Sequence, residues 1–177
     1  MTNVLRSDVN TQMPADRNGL QLFVDGCYEP GSGHGGWAFV AYRNGVEIAF
    51  DRGGADNAGN NVMEVTALLK AMAWIDGNAA GEPAVIWSDS RHAVKGCNHL
   101  RPIWRSNGWK KADPNPKARR RTIADPDLWK AIDLQLSQNH QMTVAWCKGH
   151  FGIDGNERAD ELAEQGRLFI RRPQPQG

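Results

Sequence analysis

Four carboxylates and one histidine stand where strands give way to turns or where helices open. Asp25 ends the run LFVD, Asp89 sits in the SDS after VIW, and His150 follows AWCKG. Glu64 and Asp160 fall in the first turns of two helical segments. Each has a plain reading when taken singly. An Asp at a strand end is more often a turn former, and a histidine in a glycine-flanked loop is usually just solvated. Together, four carboxylates without a cysteine cluster suit hard cations that take oxygen ligands. Such acids repel when gathered, so without a cation at least one has a raised pKa and the set titrates as a coupled unit. Two divalent ions about 3.5–4 Å apart activate a water and stabilise the leaving oxygen of a phosphodiester. A histidine on a movable loop beside them suits proton transfer at neutral pH.

Positioning these groups takes a sheet and helices packed on it. LQLFVDG (20–26) is a short apolar run closed by Asp-Gly, the pattern of a buried strand. GGWAFVAYRNG (35–45) is another, ending in Asn44-Gly45, a strong hairpin signal, and VEIAFDRGG (46–54) follows. These three strands make an antiparallel meander. NNVMEVTALLKAMAWIDG (60–77) changes to helical spacing, with Asn60 or Asn61 as the cap, Gly77 at the end and Glu64 in the first turn. AVIWSDS (84–90) reads as a strand, SRHAVKGCNHL (90–100) as a short helix, and MTVAWCKG (142–149) as a strand. DPDLWKAIDLQLSQ (125–138) reads as a helix with Asp125 as cap and Pro126 at its first position. In the last helix Asp154 and Glu157 have capping-box spacing, with Asn156 as the alternative cap. The order implies an α/β mixed sheet with helices packed on it. One domain over 20–168 is expected, between polar tails at 1–19 and 169–177.

Net charge is +1, but it is unevenly spread. Of the 21 Lys/Arg and 20 Asp/Glu, residues 101–121 hold eight cations and one acid. An acidic body carrying one basic segment suggests a polyanion held at one place. Trp104 and Trp109 lie among those cations, which favours nucleic acid over a merely solvated loop. Trp37, Trp74, Trp87 and Trp146 fall in strand or helix patterns and read as core. Cys27, Cys97 and Cys147 are far apart and odd in number, so no disulfide framework is expected and the setting is reducing. No secretory signal or membrane-length apolar run is present in the sequence. A cytoplasmic, free-standing monomer is the expectation.

The chain resembles a type I ribonuclease H of the bacterial kind from about Leu20 to Arg167. The resemblance rests on DG at Asp25, GG at Gly35–Gly36, NNxME at Asn60–Glu64, SDS at Asp89, GWKKAD…DLW over Gly108–Trp129, and KGHxGxxGNERADELA. It implies a ribonuclease H-like mixed five-stranded sheet, three antiparallel strands and then parallel ones, flanked by helices. It implies an endoribonuclease acting on the RNA strand of RNA–DNA hybrids, leaving 3′-hydroxyl and 5′-phosphate ends. Two Mg²⁺ ions, for which Mn²⁺ substitutes, would be held by Asp25, Glu64, Asp89 and Asp160, with His150 on a mobile loop assisting proton transfer or product release. Asn60 matches a residue that reads the RNA strand, and Asn61 and Arg91 stand beside the same surface. The basic segment, about 101–124, matches a handle that grips the hybrid. Its candidate contacts are Trp104, Trp109, Lys110, Lys111, Lys117, Arg119, Arg120 and Arg121. Several positions depart from the family pattern. Cys27, Tyr28 and Gly31 alter the first loop, Gly59 replaces a common threonine, Arg91 a glutamine, and Leu100 a groove tryptophan. Extra residues between Asp113 and Trp129, including Arg119–Arg121, imply tighter and more salt-dependent binding. A binding module without activity and another metal nuclease on the same fold are the rival readings, and retention of all five chemical residues speaks against the first.

Overall fold

The first three strands follow directly from apolar runs broken at glycine turns. The computed structural model describes residues 18–111, 115, 117, 119, 121–149 and 154–170. In it β1 (Leu20–Glu29), β2 (His34–Arg43) and β3 (Val46–Ala55) form the expected antiparallel meander. Asn44 and Gly45 both take positive φ, 52° and 80°, as a type I′ connection requires. β4 (Ala84–Ser88) pairs parallel with β1, and β5 (Met142–Trp146) parallel with β4, giving the order β3-β2-β1-β4-β5. The mixed five-stranded sheet is therefore as expected.

β1 is apolar on both faces because the sheet is covered on both. Leu20, Leu22 and Val24 join α1 (Asn60–Asn78) and α4 (Pro126–Gln138) in the larger core. Phe23 joins Ala38, Val40, Trp87 and the apolar side of α5 (Asp154–Phe169) in the smaller one. No described helix is long and apolar enough to cross a membrane.

Several boundaries differ from the sequence expectation. Gly59 holds the cap position of α1 with extended backbone and no side-chain cap bond, so neither Asn60 nor Asn61 caps the helix. Glu64 consequently lies beyond the first turn. The other end runs through Gly77 to Asn78, and the Ala79 amide closes on the Ile75 carbonyl. Asp125 precedes α4 as expected but takes φ 51°, and its carboxylate makes no cap bond. A capping side chain works from extended backbone, which the left-handed conformation replaces. α5 begins at Asp154, so Asp154 and Asn156 are inside it rather than before it.

The helix expected over 90–100 continues further. α2 (Arg91–Lys95), a π turn (Gly96–Leu100) and α3 (Arg101–Ser106) follow one another without a break. The Ser90 hydroxyl accepts the Ala93 amide at the start. The π turn lies against the fully buried Trp129, and a Cβ on Gly96 would run into the indole ring. π turns of this kind often mark functional places in helices. Here the turn seats the start of the basic segment on α4. Gly96→Ala should therefore overpack this contact and cost about 1–3 kcal/mol. In urea, the midpoint should fall while the slope stays unchanged; an unshifted midpoint would contradict the packing account.

Candidate active site

The parallel ladder between β1 and β4 ends at the pair Val24–Ser88. The next residues on the two strands are Asp25 and Asp89, so the point where pairing stops delivers both acids to one end of the sheet. Glu64 arrives from α1. A Cβ on Gly26 would overlap the Met63–Glu64 peptide, so only glycine lets the helix settle this close to β1. Carboxylate oxygens of Asp25, Glu64 and Asp89 lie within 4.8 Å of one another. Asp25 and Glu64 are each 5% exposed, and Asp89 is half-buried. Asp160, half-buried in the second turn of α5, adds its field at both buried acids. The structure thus brings three of the four carboxylates into one cluster and places the fourth at its flank.

The frame around the cluster is specific. Asp25 Oδ1 accepts the Gly26 amide at 2.9 Å. Asn156, itself buried, donates from Nδ2 to Asp89 Oδ2 at 3.3 Å. Trp146 donates its indole N–H to the Asp89 carbonyl at 3.2 Å. Gly149 is pressed onto the Asp89 carboxylate, leaving no room for a side chain. His150 is next in sequence and lies outside the described residues, as does Arg120. Asn156, Trp146, Gly26 and Gly149 were not among the expected site residues. Asn156 was legible only as a cap candidate, Trp146 only as core, and the two glycines only as loop formers.

Burial is the main cause that raises the Asp25 carboxyl far above the ordinary carboxylate range, followed by the charges of Glu64 and Asp89. Burial also raises Glu64, again with Asp89 adding to it, while contacts with the Asp25 carboxyl and the Gly26 amide pull it part of the way back. The Glu64 Oε2 oxygen is buried with no hydrogen-bond partner. A buried orphan acceptor in an all-carboxylate set fits a hard divalent cation, which takes oxygen ligands and removes the repulsion.

The basic segment divides in two. Arg101 and Arg105 both pair with the buried Asp133 of α4, at 2.6 and 3.1 Å, Arg105 from an exposed position. Trp104 packs on Trp129 with centroids 5.0 Å apart, and Trp109 is half-buried against the same core. A short bridge, Lys110–Thr122, closes the loop beyond. Lys110, Lys111, Lys117, Arg119 and Arg121 are exposed. The two tryptophans reserved for nucleic acid therefore also anchor the segment. Asn60 and Asn61 are exposed on α1, the helix that carries Glu64, and Arg91 is exposed at the start of α2, two residues past Asp89. Of the tryptophans read as core, Trp87 is buried, and Trp37, Trp74 and Trp146 are half-buried.

Strand order and carboxylate cluster together define an α/β fold of the ribonuclease H type with a candidate divalent-metal centre. The RNase H family model matches residues 17–167. Ribonuclease H of Cupriavidus necator is 37% identical over 155 residues, covering 86% of this chain and 98% of that protein. The solution structure of the PFV RNase H domain superposes with a TM-score of 0.71 at 24% identity, covering 85% of this chain and 95% of that one. A foamy viral protease–reverse transcriptase in complex with RNA/DNA hybrid superposes with a TM-score of 0.74 at 19% identity, over 96% of this chain and 22% of that one. The chain belongs to the RNase H family.

The raised carboxyls make stability depend on pH with a definite sign. From about pH 4 upward, the metal-free folded state binds more protons at this cluster than the unfolded chain does. Stability from these groups is complete below that pH and is lost as pH rises toward and past neutrality. Asp25→Asn should therefore raise the melting temperature of metal-free protein at pH 8 by about 3–8 °C, since each kcal/mol is about 2–4 °C in a domain of this size. The gain should shrink at pH 5. Added Mg²⁺ should raise the melting point of the parent more than that of the variant. An equal or larger gain for the variant at pH 5 would contradict the assignment.

Proposed function

We infer that the protein is an endoribonuclease that hydrolyses the RNA strand of RNA–DNA hybrids, leaving 3′-hydroxyl and 5′-phosphate ends. The observation that carries this reading is the buried carboxylate cluster where β1 and β4 part, within the fold of the RNase H family. Asp25, Glu64, Asp89 and Asp160 would hold two divalent ions, Mg²⁺ or Mn²⁺ in its place. Bound there, the ions would supply an activated water and stabilise the charge of the leaving oxygen. The protein's own groups do the rest. Asn156 and Trp146 fix Asp89, and Gly26 fixes the spacing of Asp25 and Glu64. His150, next in sequence after Gly149, would carry a proton to or from the reacting oxygens.

Asn60 and Asn61, exposed on the first turn of α1, are suited to the RNA strand, where the 2′-hydroxyl is the discriminating group. The handle spans about 101–124, and Lys110, Lys111, Lys117, Arg119, Arg120 and Arg121 would contact phosphates, with Trp104 and Trp109 holding the segment to the body. Those contacts set affinity and its salt dependence more than the chemical step. We read the protein as a cytoplasmic monomer whose ribonuclease H domain spans 20–168.

An end-labelled RNA–DNA hybrid tests this reading, with duplex RNA, duplex DNA and single strands beside it. Internal RNA cuts confined to the hybrid are expected, abolished by EDTA and reduced at least about 10³-fold by Asp25→Asn. Hybrid binding without cleavage in Mg²⁺ or Mn²⁺ would overturn the nuclease reading in favour of a binding module. Cuts in duplex DNA, or from strand ends, would place the chain with a different metal nuclease.

A further inference from the structure

Arg91 is the first residue of α2, two positions past Asp89, and it is exposed. Its guanidinium lies 4.2 Å over the centre of the Trp146 ring. The same indole donates its N–H to the Asp89 carbonyl at 3.2 Å. One side chain at the end of β5 therefore fixes the backbone of a cluster carboxylate through its edge and seats a cation through its face. No carboxylate pairs with Arg91 among the described residues, whereas Arg43, Arg101, Arg105, Arg158 and Arg167 all have acidic partners. Stacking occupies one face of a guanidinium and leaves its N–H edge free. That edge is a planar fork suited to bidentate contact with phosphate oxygens. Stacking also restricts a long side chain before any ligand arrives, so less freedom is lost when it binds.

We propose that Trp146 is a positioning residue that holds Arg91 as a phosphate-binding subsite beside the carboxylate cluster, taking the phosphodiester next to the one being cut. This rests on the nuclease reading. A strand laid with one phosphodiester on the cluster brings a neighbouring phosphate past the Asp89–Arg91 turn. The cation there also offsets the negative field of Asp25, Glu64 and Asp89 that a polyanion must otherwise approach. A phosphate rather than a base edge is the expected target, so the contact is independent of sequence.

The test uses the full chain in EDTA and a fluorescent RNA–DNA hybrid, with binding followed from about 50 to about 200 mM NaCl. Arg91→Gln should weaken binding about three- to tenfold and lower the salt slope by about one. Trp146→Leu should produce much the same loss alone and little more when added to Arg91→Gln. Trp146→Phe, which keeps an aromatic face, should retain most of the parent affinity. Replacing the phosphate next to the cleaved one by an uncharged methylphosphonate should reproduce the Arg91→Gln loss and leave that variant unaffected. An unchanged salt slope in Arg91→Gln, additive losses in the double variant, or a loss that follows base identity would overturn the subsite. A parent chain that fails to bind the hybrid would overturn it too. Cleavage by the parent in Mg²⁺ is scored separately: binding without cleavage would sink the nuclease reading and leave the subsite to be judged on its slopes.

Discussion

Carboxylates that repel one another are held together here in a place with little water. Asp25 and Glu64 sit at 5% exposure each, and Asp89 is within 4.8 Å of both. Left to itself such a set would spread or stay protonated. Spreading is blocked because each acid is fixed by backbone. Asp25 and Asp89 are the next residues after the last parallel pair of β1 and β4, and Glu64 is itself in the contact that Gly26 makes with α1. Two cores, one on each face of β1, keep the sheet from yielding. Protonation is thus the remaining relief in metal-free protein, and a divalent cation is the relief that leaves all the oxygens available for chemistry.

The rest of the molecule can be understood as answering that constraint. A negative cluster repels the polyanion it is suited to cut, so positive charge must be brought to its side without entering it. Arg101 and Arg105 are paired with Asp133, and Trp104 packs on Trp129; these contacts fix the root of the basic segment. Asp133 is buried, so removing its arginine partners would leave an uncompensated carboxylate there. Beyond this root, Lys110, Lys111, Lys117, Arg119 and Arg121 are exposed, and in the proposed function they would follow the phosphate backbone, setting affinity apart from the chemistry of the cluster.

The sequence made much of this visible in advance. Apolar runs and turn residues mark all five strands, and acids at strand ends (Asp25, Asp89) and near helix starts (Glu64, Asp160) mark the metal candidates independently of the family resemblance. What it could not show has physical reasons. α4 starts at Pro126 as expected and α1 only a residue or two earlier than expected, but Gly59 and Asp125 hold the cap positions without a side-chain cap bond, and propensity alone does not reveal that. The continuation of α2 through a π turn depends on the fit of Gly96 against Trp129, which joins residues far apart in sequence. Asn156 and Trp146 looked like a cap and a core residue; their bonds to Asp89 exist only once β5 and α5 are packed beside β4. The pairing of two handle arginines with Asp133 was hidden for the same reason, since Asp133 lies one helix away.

The most direct test of the central claim is calorimetry of Mg²⁺ binding to the intact protein near pH 7, repeated in buffers of different ionisation enthalpy. If buried, mutually repelling carboxyls keep protons until a cation arrives, binding must release protons, and the observed heat must vary with the buffer. A release of roughly one proton per site, diminished in Asp25→Asn, is the expected result. Mg²⁺ binding with no proton release in the parent chain would show that the carboxyls are already ionised, and the account of a repulsive cluster relieved by metal would be wrong.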